Sequence, residues 1–167
     1  MITATLFQNV LMLATLLTTL VTGFILLFAI VVMPGLAALP DADFLRAFQV
    51  IDRVIQNNQP LFIFVWIGSA VSLLIATILG VTQLGGVARL LLMAAAFSFI
   101  LGTQVPTVTV NIPLNNRVQT LAVKRLEQGA QLREREHFEL RWNRWNVIRT
   151  VFATLSSSLL IVVLRLL

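Results

Sequence analysis

The chain has 167 residues, of which 58% are hydrophobic, and its formal net charge is +5 at neutral pH. Its mean hydropathy is +0.92, whereas soluble domains are only about 45–50% apolar, so the composition excludes an ordinary soluble protein. The chain has no cysteine, which excludes disulfides, thiol catalysis and cysteine metal ligands. The single histidine, His137, makes haem, zinc and di-iron centres poor candidates. We therefore expect no metal and no cofactor.

Four apolar segments indicate that the chain crosses a membrane. Three long stretches contain no Asp, Glu, Lys or Arg, and a shorter one lies near the C-terminus: Met1–Pro40, Val54–Ala88, Leu90–Asn116 and Thr150–Leu164. A helix of about 20 apolar residues crosses a hydrocarbon core of about 30 Å. The sequence therefore predicts four spans, at approximately 6–33, 61–83, 90–110 and 146–167. The first run is too long for a signal peptide and lacks its basic start, so we expect it to be retained.

Prolines are expected to limit two of these spans. Proline lacks an N–H group and clashes with the preceding helical turn. Pro34 therefore predicts the end of span one, and Pro106 and Pro113 predict an interrupted end to span three. Residues 111–145 should then begin irregularly and continue as a polar helical loop.

An amphipathic helix is predicted between spans one and two, at about residues 42–57. Asp41 and Asp43 suit the start of a helix. Apolar side chains then recur at helical spacing on one face: Phe44, Phe48, Ile51 and Ile55. Arg46 and Arg53 lie opposite, so the helix is too polar to cross the bilayer and should lie on the membrane or on the bundle.

Together these elements predict an all-α membrane protein. It is a four-transmembrane-helix up-down bundle with an additional amphipathic helix, forming a single membrane domain over residues 1–167. The loops after spans one and three hold ten Lys or Arg residues, and the other side holds only Arg89 and Arg165. The positive-inside rule predicts that these two loops are cytoplasmic and that both termini lie outside. The basic residues thus serve topology, and we expect no nucleic-acid partner.

Polar side chains converge at the end of the bundle that faces the two basic loops. Span three and the segment after it supply Asn111 and Asn115, and the amphipathic helix adds Gln49 and Asp52. Span four supplies residues that share one helical face: Trp142, Asn146 and Arg149. A polar residue within a span is a functional-site hypothesis by default. For Arg149 two alternatives stand: a ligand contact, or a structural role in which it snorkels to headgroups or pairs with Asp52.

Four short motifs in order resemble a family of small four-span membrane proteins whose named members are anthrone oxygenases of polyketide pathways. They are Val32–Leu36, Phe48–Asp52, Val110–Asn115 and Trp142–Thr150. Many members carry His where this chain has Val147, and Asn where it has Asp52. Most members have no assigned function.

The resemblance implies oxygenation of an electron-rich aromatic ketone whose carbanion reacts with oxygen without metal or flavin. Such a reaction needs an apolar slot, a base and donors that stabilise the enolate. Trp142 and Trp145 are the candidates for the slot, and Gln49 and Asn115 for further substrate contacts. The candidate enolate ligands are Asn111, Asn146 and Arg149. The candidate base is Asp52 or His137.

Three functions compete at this point. The first is a membrane oxygenase acting on a lipophilic aromatic, and the second is a non-catalytic subunit or a module that binds lipid or a small molecule. A small transporter is the third, although the spans lack a charged relay or paired broken helices. The expected partners are the lipid bilayer and a lipophilic aromatic ligand, with a membrane-protein partner or a homo-oligomer as alternatives. The Glu134–His137 pair resembles half of a di-iron motif, but a solvated histidine is the simpler interpretation.

Overall fold

The structure is a computed structural model that describes residues 2–167, with side chains described from residue 4 onward. Within that range the chain is almost entirely helical and contains no strand. Four helices are long and apolar enough to cross a membrane: Ala4–Ala37, Pro60–Gln83, Gly86–Thr120 and Gln128–Leu166. We call them spans one to four. The predicted all-α bundle is confirmed, and the chain is a multi-pass integral membrane protein.

The amphipathic helix lies at Asp41–Gln56, between spans one and two. Its inner face buries Phe44, Leu45 and Phe48 together with one charged residue, Asp52. Burial of the aromatic face explains why a helix with so many polar residues packs onto the bundle.

The expectation that Pro34 ends span one is wrong, whereas the predicted interruption of span three is present as two wide turns. Pro34 lies inside span one, and Pro106 and Pro113 lie inside span three. A five-residue π-helical turn ends two residues before each proline: Phe28–Val32, Ile100–Gln104 and Thr107–Asn111. A wider turn accommodates the missing N–H and moves the carbonyl that the proline ring would otherwise strike. The helices therefore continue past the prolines instead of stopping at them.

Residues 111–145 do not form a separate helical loop. Span three continues to Thr120, and span four begins at Gln128. Only a short connection with a 3-10 turn at Val123–Arg125 joins them. The polar segment therefore consists mostly of two helix ends that extend beyond the apolar part of the bundle. At about 1.5 Å per residue, the 39-residue helix of span four is much longer than a bilayer core requires.

The four spans do not pack equally against one another. Span one packs along spans two and four, and span three packs along span four. Span two approaches span three mainly at Gly86–Phe99, next to the turn that joins them. Toward the other end of the bundle, spans two and three therefore leave a space between them.

Spans three and four approach closely at Gly102. A Cβ atom built there would lie 2.2 Å from Cγ and 2.5 Å from Cβ of Phe152. Nearby, the Ser98 hydroxyl donates to the Phe152 carbonyl at 2.8 Å, and the Ser156 hydroxyl donates to the Ala95 carbonyl at 2.9 Å. Within a bilayer, burial from water cannot drive helix association. Small residues and hydroxyl hydrogen bonds therefore hold these helices together.

The amphipathic helix and residues 112–141 pack together as one unit, which we call the cap. The Gln49 amide donates to the Val118 carbonyl at 2.7 Å. The Phe48 and Phe138 rings meet edge to face, with centroids 4.4 Å apart. The cap therefore covers the end of the bundle at which spans two and three separate.

Candidate functional site

A cavity lies beneath the cap and receives residues from all four spans and the amphipathic helix. Its volume is about 150 Å³, below the roughly 300–1,000 Å³ typical of sites for drug-sized ligands, and its mouth is open. Most of its lining is apolar: Phe24, Ile25, Phe28, Phe48, Ile55, Phe62, Trp66, Ile112 and Trp142. Five polar residues complete it: Asp52, Thr107, Asn111, Asn115 and Arg149.

Aromatic rings dominate the apolar part of the cavity. The Phe62 and Trp66 rings on span two stack with centroids 5.4 Å apart and an interplanar angle of 20°. The Phe24 ring meets Phe62 at 5.7 Å, and the Phe28 ring meets Trp142 at the same distance. Flat faces of this kind suit a planar, apolar ligand.

Three of the lining residues lie within the π-helical turns. Phe28 begins the wide turn of span one, and Thr107 and Asn111 begin and end the second wide turn of span three. An extra residue in a turn rotates the side chains that follow it relative to a regular helix. The prolines thus contribute to the site indirectly, because the wide turns accommodate them.

Arg149 is a buried cation on the cavity wall, with 6% of its surface exposed. Its Nε and Nη2 atoms donate to Oδ1 of Asn146 at 3.0 and 2.8 Å, and its Nη1 atom donates to Oγ1 of Thr107 at 3.1 Å. The guanidinium carbon also lies 5.2 Å from the centroid of the Trp142 ring. No carboxylate of the described chain pairs with it. A guanidinium carries five N–H groups, so donors and charge remain for a ligand.

Asp52 places a buried carboxylate on the cavity wall, with 3% of its surface exposed. It accepts hydrogen bonds from the side-chain amides of Asn115 at 2.8 Å, Gln119 at 2.9 Å and Gln56 at 3.2 Å. Oδ1 of Asn115 accepts in turn from Nε1 of Trp142 at 2.7 Å. Within residues 2–167 no Lys or Arg lies within ion-pair distance of Asp52. The amides hold the carboxylate in place without neutralising it.

Asn111 lines the cavity and carries a buried amide oxygen without a partner among the described residues. Its Nδ2 atom donates to the Trp142 carbonyl at 3.3 Å. Its buried Oδ1 atom has no partner among the described residues. The opposite amide orientation would set two oxygens against each other, so the geometry assigns the nitrogen to Trp142. The unpartnered atom of Asn111 is therefore an acceptor, whereas the resemblance implied that the residue donates to an enolate.

The structure brings five of the predicted site residues to one cavity: Asp52, Asn111, Asn115, Trp142 and Arg149. Asn146 lies behind Arg149, outside this lining, and Gln49 is bonded within the cap. Trp145 packs against the apolar cluster of the cap. Arg149 lies inside the bundle and so does not snorkel, and it does not pair with Asp52.

Sequence reasoning missed the aromatic wall supplied by spans one and two. Phe24 and Phe28 on span one are four residues apart, and so are Phe62 and Trp66 on span two. Side chains at this spacing share a helix face, and both pairs lie toward the polar end of the bundle, so this signal was available. His137, a candidate base, is exposed and lies outside the cavity lining.

The fold and this site define a small multi-pass membrane protein with an aromatic, charge-bearing cavity at one end of a helical bundle. Residues 48–159 of the 167-residue chain match the family model described as anthrone oxygenase, and the chain belongs to that family. Three of the four motifs fall within the match, and Val32–Leu36 precedes it. Neither a curated protein nor a solved structure matches the chain.

Proposed function

We propose that the chain is a cofactor-independent oxygenase of a lipophilic aromatic ketone that carries an acidic C–H bond. One observation carries the proposal: an aromatic cavity holds both a buried guanidinium without a carboxylate partner and a buried carboxylate without a cationic partner. Membership of the anthrone oxygenase family supports the oxygenation. It does not support the choice of base, because many members carry Asn where this chain has Asp52.

In this proposal Asp52 is the base and Arg149 stabilises the enolate. Asp52 removes a proton from the ring methylene, and the electron pair moves onto the carbonyl oxygen, which lies against the Arg149 guanidinium. The carbanion form then bonds to molecular oxygen, which is reduced to a peroxide and takes up a proton. Loss of the second methylene proton forms the new carbonyl group while the O–O bond breaks and water leaves. The methylene group and one O₂ thus become a carbonyl group and one water.

We propose that the substrate reaches the cavity from the bilayer, between spans two and three. Side chains of both spans line the cavity, and six of its seven partly exposed members are apolar: Phe24, Phe28, Ile55, Phe62, Trp66 and Ile112. The seventh is Asn115. A fused aromatic ketone partitions into lipid, so an apolar mouth favours its entry. The cap closes the opposite side with its rings and amides.

We further propose that the cap lies in the cytoplasm and that both termini lie outside. Nine of the twelve Lys and Arg residues lie at the cap end of the bundle, between Arg46 and Arg144, apart from Arg149 inside the bundle. An excess of basic residues in short loops favours their retention on the cytoplasmic side.

Oxygen uptake by the purified protein tests the proposed activity. The full chain in nanodiscs of neutral lipid should consume oxygen with unsubstituted anthrone faster than the spontaneous reaction, and a chelator should not slow it. Asp52→Asn should lower the rate by about 10²–10⁴, as expected for loss of a general base. Asp43→Asn removes an exposed carboxylate of the same helix and should not change the rate. No acceleration by the wild-type protein would favour the non-catalytic, ligand-binding alternative.

A further inference from the structure

We infer that Asn146 is a positioning residue that aims the Arg149 guanidinium at the cavity and leaves its positive charge unneutralised. Asn146 is only 1% exposed and does not line the cavity. Its single Oδ1 atom accepts from two nitrogens of Arg149, at 3.0 Å from Nε and 2.8 Å from Nη2. Its role is therefore exerted through Arg149, and not by contact with the reacting atoms.

The orientation of the Asn146 amide is fixed from both sides. Its Nδ2 atom donates to the carbonyl oxygen of Ile25 on span one at 3.1 Å. Exchanging the nitrogen and the oxygen would turn a donor toward the guanidinium and an oxygen toward the Ile25 carbonyl, which removes all three hydrogen bonds. Because span one and span four share this amide, the bundle holds Arg149 in a defined place.

The usual partner of a buried arginine is a carboxylate, and here the partner is the neutral amide of Asn146. Arginine pairs with Asp or Glu through two N–H groups in a fork, and the pair is then neutral overall. A neutral amide satisfies the same N–H groups without cancelling the charge. The Arg149 side of the cavity keeps a positive charge for its ligand, whereas the Asp52 carboxylate on the same cavity wall is negative. A ligand whose anionic group lies against the guanidinium and away from Asp52 should therefore bind more tightly than a neutral molecule of the same shape. This inference rests on the proposed function, in which Arg149 stabilises an enolate.

Two planar probes separate anion preference from affinity for aromatic rings. The full chain in nanodiscs of neutral lipid is titrated calorimetrically with naphthoate, an anion, and with naphthamide, its neutral isostere. The wild-type protein should bind naphthoate about tenfold more tightly or better, the scale of a hydrogen bond to a charged group. Asn146→Asp should remove this preference by weakening naphthoate binding, while naphthamide binding stays unchanged.

Asn146→Ala is the second variant, because a carboxylate facing the Ile25 carbonyl can prevent folding. The Asn146→Ala protein keeps the positive charge of Arg149 but lacks the amide that orients the guanidinium. This variant should therefore also show a lower preference for naphthoate. Asn143→Asp is the matched control: it places the same charge one turn earlier on the same helix, at a half-buried position. It should keep the wild-type preference.

The outcomes distinguish this inference from the oxygenase proposal. A folded Asn146→Asp or Asn146→Ala protein with the wild-type preference overturns the positioning role, even if the wild-type protein consumes oxygen with anthrone. A wild-type protein that shows no preference overturns both the positioning role and the enolate role of Arg149. A wild-type preference that the two variants lose, without oxygen uptake, supports the positioning role and contradicts only the oxygenase. If Asn146→Asp does not fold, Asn146→Ala alone decides.

Discussion

Replacing Arg149 with methionine should lower the reaction rate by about 10²–10³ and the free energy of unfolding by no more than about 2 kcal/mol. The two effects come from different interactions. Methionine keeps the long apolar stem but removes the guanidinium, which is buried without a carboxylate partner. An enolate ligand would lose its only cationic neighbour in the cavity lining of the described chain.

The change in stability has two opposing parts. The variant leaves the Oδ1 atom of Asn146 without its donors, which costs about 1–3 kcal/mol for a buried acceptor. Thr107 loses one bond but still donates to the Thr103 carbonyl at 2.7 Å. Against this loss, the variant removes an unpaired buried charge whose desolvation costs several kcal/mol. The free energy of unfolding should therefore fall by no more than about 2 kcal/mol.

The change in activity has no such compensation. Loss of one donor to a developing oxyanion costs about 2.7–4 kcal/mol, or about 10²–10³ in rate. Oxygen uptake with anthrone measures the rate, and thermal unfolding in the same nanodiscs measures stability. Arg165→Met, which removes an exposed arginine near the other end of span four, is the control and should change neither. Strong destabilisation of Arg149→Met with unchanged activity per folded molecule would refute this reasoning and make the arginine a structural residue.

The remaining predictions concern packing, topology and the histidine. Gly102→Ala should lower the free energy of unfolding by about 1–3 kcal/mol, the usual cost of overpacking, because an aromatic ring covers the glycine. Gly23→Ala is the control, since no atom lies within 4 Å of its added Cβ, and it should be neutral in the same thermal unfolding assay. Equal effects of the two variants would contradict the close approach of spans three and four at Gly102. In a bacterial inner membrane, an impermeant maleimide added outside should label Gly85→Cys but not Gly129→Cys, and the reverse pattern would invert the proposed topology. Because His137 is exposed and outside the cavity, His137→Ala should leave oxygen uptake unchanged, and a large loss would reinstate it as a candidate base.

Much of the architecture followed from residue patterns alone. Uncharged runs predicted the four spans because charged side chains are costly within a bilayer. The spacing of Phe44 and Phe48 predicted the amphipathic helix, and the accumulation of polar residues predicted which end of the bundle holds the site. The motif resemblance predicted the family, to which the chain does belong.

The prolines show where local rules reached their limit. The rule that proline ends a helix describes a regular α-helical turn. It does not anticipate a wider turn that neighbouring helices can support, as at Pro34, Pro106 and Pro113. The predicted boundaries of spans one and three were therefore too short, and the wide turns themselves were not predictable from the local rule.

The sequence by itself determined which segments cross the membrane and which polar groups meet at one end, since both depend on composition and helical periodicity. Only the tertiary structure decided how those groups are used. Asn146 and Trp145 belong to the same motif as Arg149, yet one holds the guanidinium and the other packs in the cap. An amide can donate or accept, and a helical residue can face a cavity or a neighbouring helix. Those choices depend on partners distant in sequence, such as Ile25 for Asn146, and no local pattern encodes them.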